Sequence, residues 1–159
     1  MNSFKKRSQQ GFTIVELLIV IVVIGILAAL VITTYNGIQQ KGRNTERTTD
    51  LKAVQGQLEA YYAQNGAYPA DTQLGSTSAT NVTFIGASMK GLDKEALRDP
   101  KGTASDYSLA ATPTANKYAY APTNDAGAAC TAAAADCTKY TLTAKPEGSG
   151  ADIVLNSLN

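Results

Sequence analysis

Residues 11–35 read GFTIVELLIVIVVIGILAALVITTY, and this stretch decides what kind of protein the rest can be. From Phe12 to Ile32 the run is apolar, with one charge in it, Glu16. As a helix rising about 1.5 Å per residue it spans roughly 30 Å, the thickness of a bilayer's hydrocarbon core. Lys5, Lys6 and Arg7 stand just before it, and the first eleven residues hold no acid. A secretory signal peptide is cut behind small residues after its apolar region. Here Ala28 and Ala29 lead on into Leu30, Val31 and Ile32, so the run continues past the place such a cut would need. A plain signal anchor leaves Glu16 unexplained. A carboxylate in a spanning helix costs about 2–3 kcal/mol, less near the interface, and such residues serve a function with a neutralising partner. Basic residues do not orient the span, because Lys41, Arg43, Arg47 and Lys52 after it rival the three before it.

Beyond Ile32 the chain turns polar but keeps helical periodicity. Leu51, Val54, Leu58 and Tyr61 recur at spacings of three and four, one apolar stripe on a helix. Asn65-Gly66 followed by Pro69 is a stop signal. One long helix from about Phe12 to about Asn65 follows, its first half facing lipid or other subunits and its second half laying the stripe on a head.

The head is small and polar, rich in Ala, Thr, Gly and Asn, with eight Tyr in the whole chain. Residues 70–87 read as a loop with one apolar patch, Val82 to Ile85. Leu92 to Leu97 suits a helical turn before Asp99-Pro100. Three alternating runs, residues 107–110, 117–120 and 140–143, read as half-buried antiparallel strands. Residues 152–155 fit an edge strand. The fold class is therefore α+β, a long N-terminal helix packed on a small antiparallel sheet.

Composition excludes more than it selects. The net charge of +1 points to no polyanionic partner, and Lys90, Lys94, Arg98, Lys101, Lys117, Lys139 and Lys145 lie scattered among acids, so no nucleic-acid stripe exists. The chain has no His, the commonest general base and metal ligand. No Ser or Cys nucleophile stands beside a base and no phosphate loop follows a strand, so no catalytic residue is assigned and the protein is read as a non-enzyme. The two cysteines, Cys130 and Cys137, lie behind a membrane-targeting segment and read as one disulfide closing a short loop, a bond worth about 2–3 kcal/mol. Two thiolates without further Cys or His cannot complete a zinc site.

The residues Gly11-Phe12-Thr13-Ile14-Val15-Glu16, with the basic leader upstream and Leu17 to Val20 and Gly25 to Ala29 after them, resemble the prepilin processing motif of type IV pilins and type II secretion pseudopilins. Asn65-Gly66-Ala67-Tyr68-Pro69 is similar to the turn that ends the long helix in many of these proteins. The resemblance implies the pilin fold, cleavage between Gly11 and Phe12 by a prepilin peptidase, and N-methylation of Phe12 by the same enzyme. It implies that the apolar helix is kept and that Glu16 serves assembly, meeting the new amine of a neighbour's Phe12. Either charge buried alone would be costly, and the two together are tolerable only when they meet. Many members carry Pro where this chain has Thr33. Asp99-Pro100-Lys101-Gly102 followed by Tyr107 resembles a loop of the major pseudopilins, with Lys101 in place of their usual aromatic. Some of those proteins bind calcium in the head, which makes Asp99, Asp106, Asp125 and Asp136 the calcium candidates. No spacing fixes a ligand set among them, and solvated loop acids is the better account. No other cofactor is expected.

The domain organisation expected is a cleaved leader over 1–11, a transmembrane and assembly half over 12–33, an amphipathic half over 34–66 and a head with the disulfide loop over 67–159. The leading expectation is a structural subunit of a type IV pilus filament, with a type II secretion pseudopilin as the alternative. A monomeric, membrane-anchored extracytoplasmic binding domain is the third. The implied partners are further copies of the chain in a helical homopolymer, the prepilin peptidase, an inner-membrane assembly platform with its ATPase, and membrane lipid before assembly. The precursor would span the cytoplasmic membrane once and end in an extracellular or periplasmic filament.

Overall fold

A computed structural model describes residues 11–75, 77–131 and 136–159. The chain falls into two compact units, Met1–Gln39 and Gln40–Asn159. Helix α1, Ile14–Asn65, runs through both. Among the described residues it is the one helix long and apolar enough to cross a membrane, with a mean hydropathy of 3.2 over its best 18 residues.

In the first unit every residue from Gly11 to Gln39 is exposed, and the apolar side chains point in all directions around the helix. A helix apolar all round has no core of its own to face and needs lipid or other helices. Thr33 and Thr34 both donate their hydroxyls to the Leu30 carbonyl at 3.0 Å, the back-bonding by which a mid-helix Thr satisfies itself.

In the second unit Leu51, Val54 and Leu58 of α1 are fully buried. The stripe read from spacing is thus the face that meets the core, and Tyr61 packs partly buried at its end, 5.5 Å from the Phe84 ring. The helix stops at Asn65 because Gly66 takes a left-handed φ of 73°, cheap for glycine, and returns its N–H to the Tyr62 carbonyl at 2.7 Å. Tyr68 then stacks on Tyr62 at 4.6 Å and meets Tyr140 edge-on at 4.6 Å, so the turn is pinned to both helix and sheet.

The sheet has three antiparallel strands in the order β1 (Ala119–Thr123), β2 (Lys139–Ala144) and β3 (Ile153–Asn156). Tyr120 lies opposite Leu142, and Leu142 opposite Leu155. Tyr118, Tyr120, Tyr140 and Leu142 are buried in the same core as the helix stripe. Pro122 is tolerated in β1 because β1 is an edge strand and its missing N–H breaks no central ladder.

Two local expectations are corrected. The 70–87 stretch is not a loop throughout: helix α2, Ser78–Ser88, occupies its second half, capped by Thr77, whose hydroxyl accepts from the Thr80 N–H. The helix is held by Asn81, fully buried, whose side chain accepts from Gly75 N–H and donates to the Gly75 and Tyr107 carbonyls. Thr, Ser and Asn are weak helix formers, so this helix is set by tertiary bonds that propensity cannot show. Residues 107–110 form no strand. They touch the sheet through one parallel bridge, Ala110 to Ala119, because Tyr107 is spent on Asn81 and on Ser78. The turn expected near Leu92–Leu97 is a 3-10 helix, Lys94–Leu97, capped by Asp93.

Candidate functional site

Two places hold the chemistry of this chain, the start of α1 and the polar anchor at its middle. At the start, Phe12 is 86% exposed and Gly11 has no neighbouring side chain or loop against its Cα. Thr13 and Glu16 form a reciprocal pair. The Glu16 carboxylate accepts from the Thr13 N–H at 2.9 Å and from its hydroxyl at 2.7 Å, and the Thr13 hydroxyl accepts from the Glu16 N–H at 3.2 Å. This is a capping box, in which the residue three places into the helix reaches back to satisfy the N-cap. The Thr-x-x-Glu spacing of residues 13–16 is the sequence signal for it. Between Phe12 and Gln40 Glu16 is the single ionisable charge. Lys5, Lys6 and Arg7 lie outside the described residues.

At the middle of α1, Arg47 is completely buried. Its Nε and Nη2 donate to the two oxygens of Asp99 at 2.7 and 2.8 Å, and Asp99 is itself 2% exposed. Its Nη1 reaches Asn44 at 2.8 Å and Glu147 at 3.2 Å. Glu147 also receives Arg43 in fork geometry and Lys101 at 3.4 Å. Asn44 closes the set, donating to the Glu147 carbonyl and accepting from its N–H. Arg43 beside it holds the Glu147 carboxyl down at about 2. Asp99 is therefore no solvated loop acid. It and Glu147 fix two head segments to α1, and Arg47, which the sequence offered only as one more basic residue after the span, is the hub. Arg's planar fork suits such a bidentate role.

The remaining aspartates go elsewhere. Asp106 accepts from the hydroxyl and N–H of Ser108, from Ser78 and from Lys117, bonds that hold it well below the usual carboxylate range, those from Ser108 most of all. Asp125 is exposed and accepts from Thr138, and Asp136 is exposed. The structure does not bring the four together, and among the described residues no group of three or more metal-ligating side chains gathers.

Cys130 and Cys137 are both buried and stand as free thiols, so the disulfide expected from the sequence is not formed in this structure. The Cys137 thiol is pushed up to about 12, by burial first and then by the neighbouring Cys130 thiol. Their carbonyls accept from Asp71 and Tyr68, which ties the cysteine loop to the turn after α1.

A family model described as the prokaryotic N-terminal methylation motif matches residues 6–32. The N-terminal segment therefore carries a prepilin-type methylation motif, and its similarity to pseudopilins and a fimbrial protein supports the pilin and pseudopilin family. Among its relatives, the type II secretion system core protein G of Dickeya chrysanthemi is 37% identical over 68 residues, 43% of this chain and 44% of that protein. The corresponding protein of Aeromonas hydrophila is 38% identical over 69 residues, 43% of this chain and 48% of that one. Fimbrial protein EcpC of Eikenella corrodens is 36% identical over 75 residues, 47% of this chain and 49% of that protein. The matches thus span a little under half the length of each relative. No solved structure matches the chain significantly. The fold has a pilin-like layout, with an apolar N-terminal helix and, among the described residues, a small three-stranded antiparallel sheet.

Proposed function

We propose that this chain is a non-enzymatic filament subunit made as a membrane-anchored precursor, and that its filament is the pseudopilus of a secretion machine. One observation carries the reading: a methylation motif sits at the head of a helix whose first half is apolar on every side and has Glu16 as its lone charge. Hydrolysis of the Gly11–Phe12 bond would free an amine at Phe12, which then takes one methyl from an activated (sulfonium) methyl donor, whose sulfur–carbon bond breaks as the amine loses a proton. The mature helix would leave lipid by packing against the helices of other copies, exchanging one apolar environment for another. The capped Glu16 would then find a second partner, the Phe12 amine of a neighbour. An ion pair buried in this way costs less than either charge alone, and it marks register. The partners are a prepilin peptidase, an assembly platform with its ATPase, and further copies of the chain. The precursor spans the cytoplasmic membrane once with the leader in the cytoplasm.

The sequence alone places a pilus subunit ahead of a pseudopilin. The names of the relatives support the secretion reading at least as well, which is why it now leads. The fimbrial relative and Lys101, where the major pseudopilins usually carry an aromatic, keep the pilus reading second.

Mass spectrometry of the mature N-terminus tests the class. A chain beginning at singly methylated Phe12 is expected, and an intact Met1 leader on the assembled protein would overturn the proposal. Loss of the gene then separates the two readings. Failure of protein export with surface filaments intact is the pseudopilin outcome, and the reverse is the pilus outcome.

A further inference from the structure

The C-terminal residues of the head are held by polar bonds and by two part-buried side chains, Ile153 and Leu155, that pack against the core. None of the four residues of β3 is fully buried, Val154 is 49% exposed, and Leu158 beyond it is 76% exposed. Yet the segment makes a set of specific bonds back to α1 and β2. Gln55 donates to the Asn156 carbonyl at 2.8 Å, the Ser157 N–H donates to the Tyr140 carbonyl at 3.1 Å, and the Leu158 N–H donates to the Glu59 carboxylate at 3.2 Å. Glu59 is the busiest of these groups. Its two oxygens also accept the hydroxyls of Tyr68 and Tyr140, each at 2.7 Å. One half-buried carboxylate thus joins four segments: the helix, the turn after it, the central strand and the tail.

We propose that residues 153–159 form a strap latched to α1 by Glu59, and that releasing the latch uncovers the edge of β2. The hinge is already in place. The loop before β3 holds Gly148 and Gly150, with Gly148 in the left-handed region, and Glu147 just before them is pinned by Arg43 and Arg47. Lifting the strap therefore need not disturb the anchor. What it uncovers is the backbone of Thr141–Ala144, now paired with β3. Unpaired strand edges invite another strand, so a closed strap keeps the head from pairing through its sheet.

Hydrogen exchange on the full chain in detergent micelles reads the latch directly. In Glu59→Ala the Leu158 amide and the β3 amides that bond β2 should exchange at least tenfold faster, while those of Leu51, Val54 and Leu58 keep their wild-type rates. Glu59→Gln keeps one oxygen acceptor and the side chain's shape, and should give a smaller acceleration confined to the same amides. Tyr140→Phe removes another donor to Glu59 but not the acceptor, and should leave the strap closed. The proposal is overturned by wild-type exchange at Leu158 in both Glu59 variants, by equal acceleration along α1, or by Tyr140→Phe opening the strap as far as Glu59→Ala.

Discussion

Truncating Arg47 to alanine removes a fully buried guanidinium and leaves its principal partner behind. Asp99 would keep one backbone donor, the Lys101 N–H at 2.8 Å, but lose both bonds from Arg47 while remaining 2% exposed. A carboxylate stranded in that way costs about 3–5 kcal/mol. Glu147 suffers less, since Arg43 and Lys101 still reach it. The expected loss is therefore near the lower end of that range, a large part of a typical domain's stability of about 5–15 kcal/mol. The double variant Arg47→Met with Asp99→Leu removes both charges and fills the space with apolar volume. It should recover most of the loss, because the cost lies in the orphaned charge and not in the missing attraction. The exposed pair Arg98–Glu95, with side chains 31% and 46% exposed, supplies the control, and Glu95→Gln should change stability by no more than about 1 kcal/mol. Urea unfolding of the full chain in mild detergent, followed by near-ultraviolet tyrosine circular dichroism, measures all three. A loss under about 1 kcal/mol for Arg47→Ala, or a double variant no better than the single one, would refute the anchoring role.

Other outcomes follow from the same structure. Glu16→Leu should insert in the membrane and be cleaved, yet enter filaments poorly, and a normal filament yield measured by shearing and immunoblot would discredit the ion pair. A bulky residue in place of Gly11 should block cleavage, seen as a retained leader by mass. Glu147 has its carboxyl held below the ordinary value by Arg43, so its contribution to stability is present above about pH 4.5 and is lost as pH falls toward about 2. The melting temperature of wild type should therefore drop more over that window than that of Glu147→Gln, and parallel curves would count against it. Under oxidising conditions, where a thiol oxidant takes two electrons and two protons from the pair, Cys130→Ser should melt lower than wild type by the worth of one short-loop disulfide, about 2–3 kcal/mol. Identical melting with and without reductant would mean that the thiols stay unpaired.

The long helix and its two halves were legible because periodicity and hydropathy are local properties. The run to Ile32 announces itself by length, and the Leu51–Val54–Leu58 stripe by spacing. The stop at Asn65-Gly66 was legible for the same reason, since only glycine adopts that backbone cheaply. Strands β1 and β2 followed from the alternating runs at 117–120 and 140–143. Helix α2 did not, because its Thr, Ser and Asn content argues for a loop until Asn81 finds the Gly75 and Tyr107 carbonyls. Tyr107 misled in the opposite sense, looking like a strand residue while its hydroxyl donates to Glu95.

At the candidate site the split has the same origin. The cleavage point, the amine-bearing Phe12 and Glu16 are expectations drawn from a contiguous motif. The anchor of Arg47, Asp99 and Glu147 joins residues 52 and 100 positions apart, and the latch at Glu59 joins residues up to 99 apart. A charge in a sequence carries no mark of its burial. By itself the sequence determined where the long helix begins and stops and that its first half is apolar on all sides, because backbone preference and hydration act residue by residue. Only the tertiary structure decided which polar side chains leave water, because burying a charge is tolerable solely where folding brings a partner to it from elsewhere in the chain.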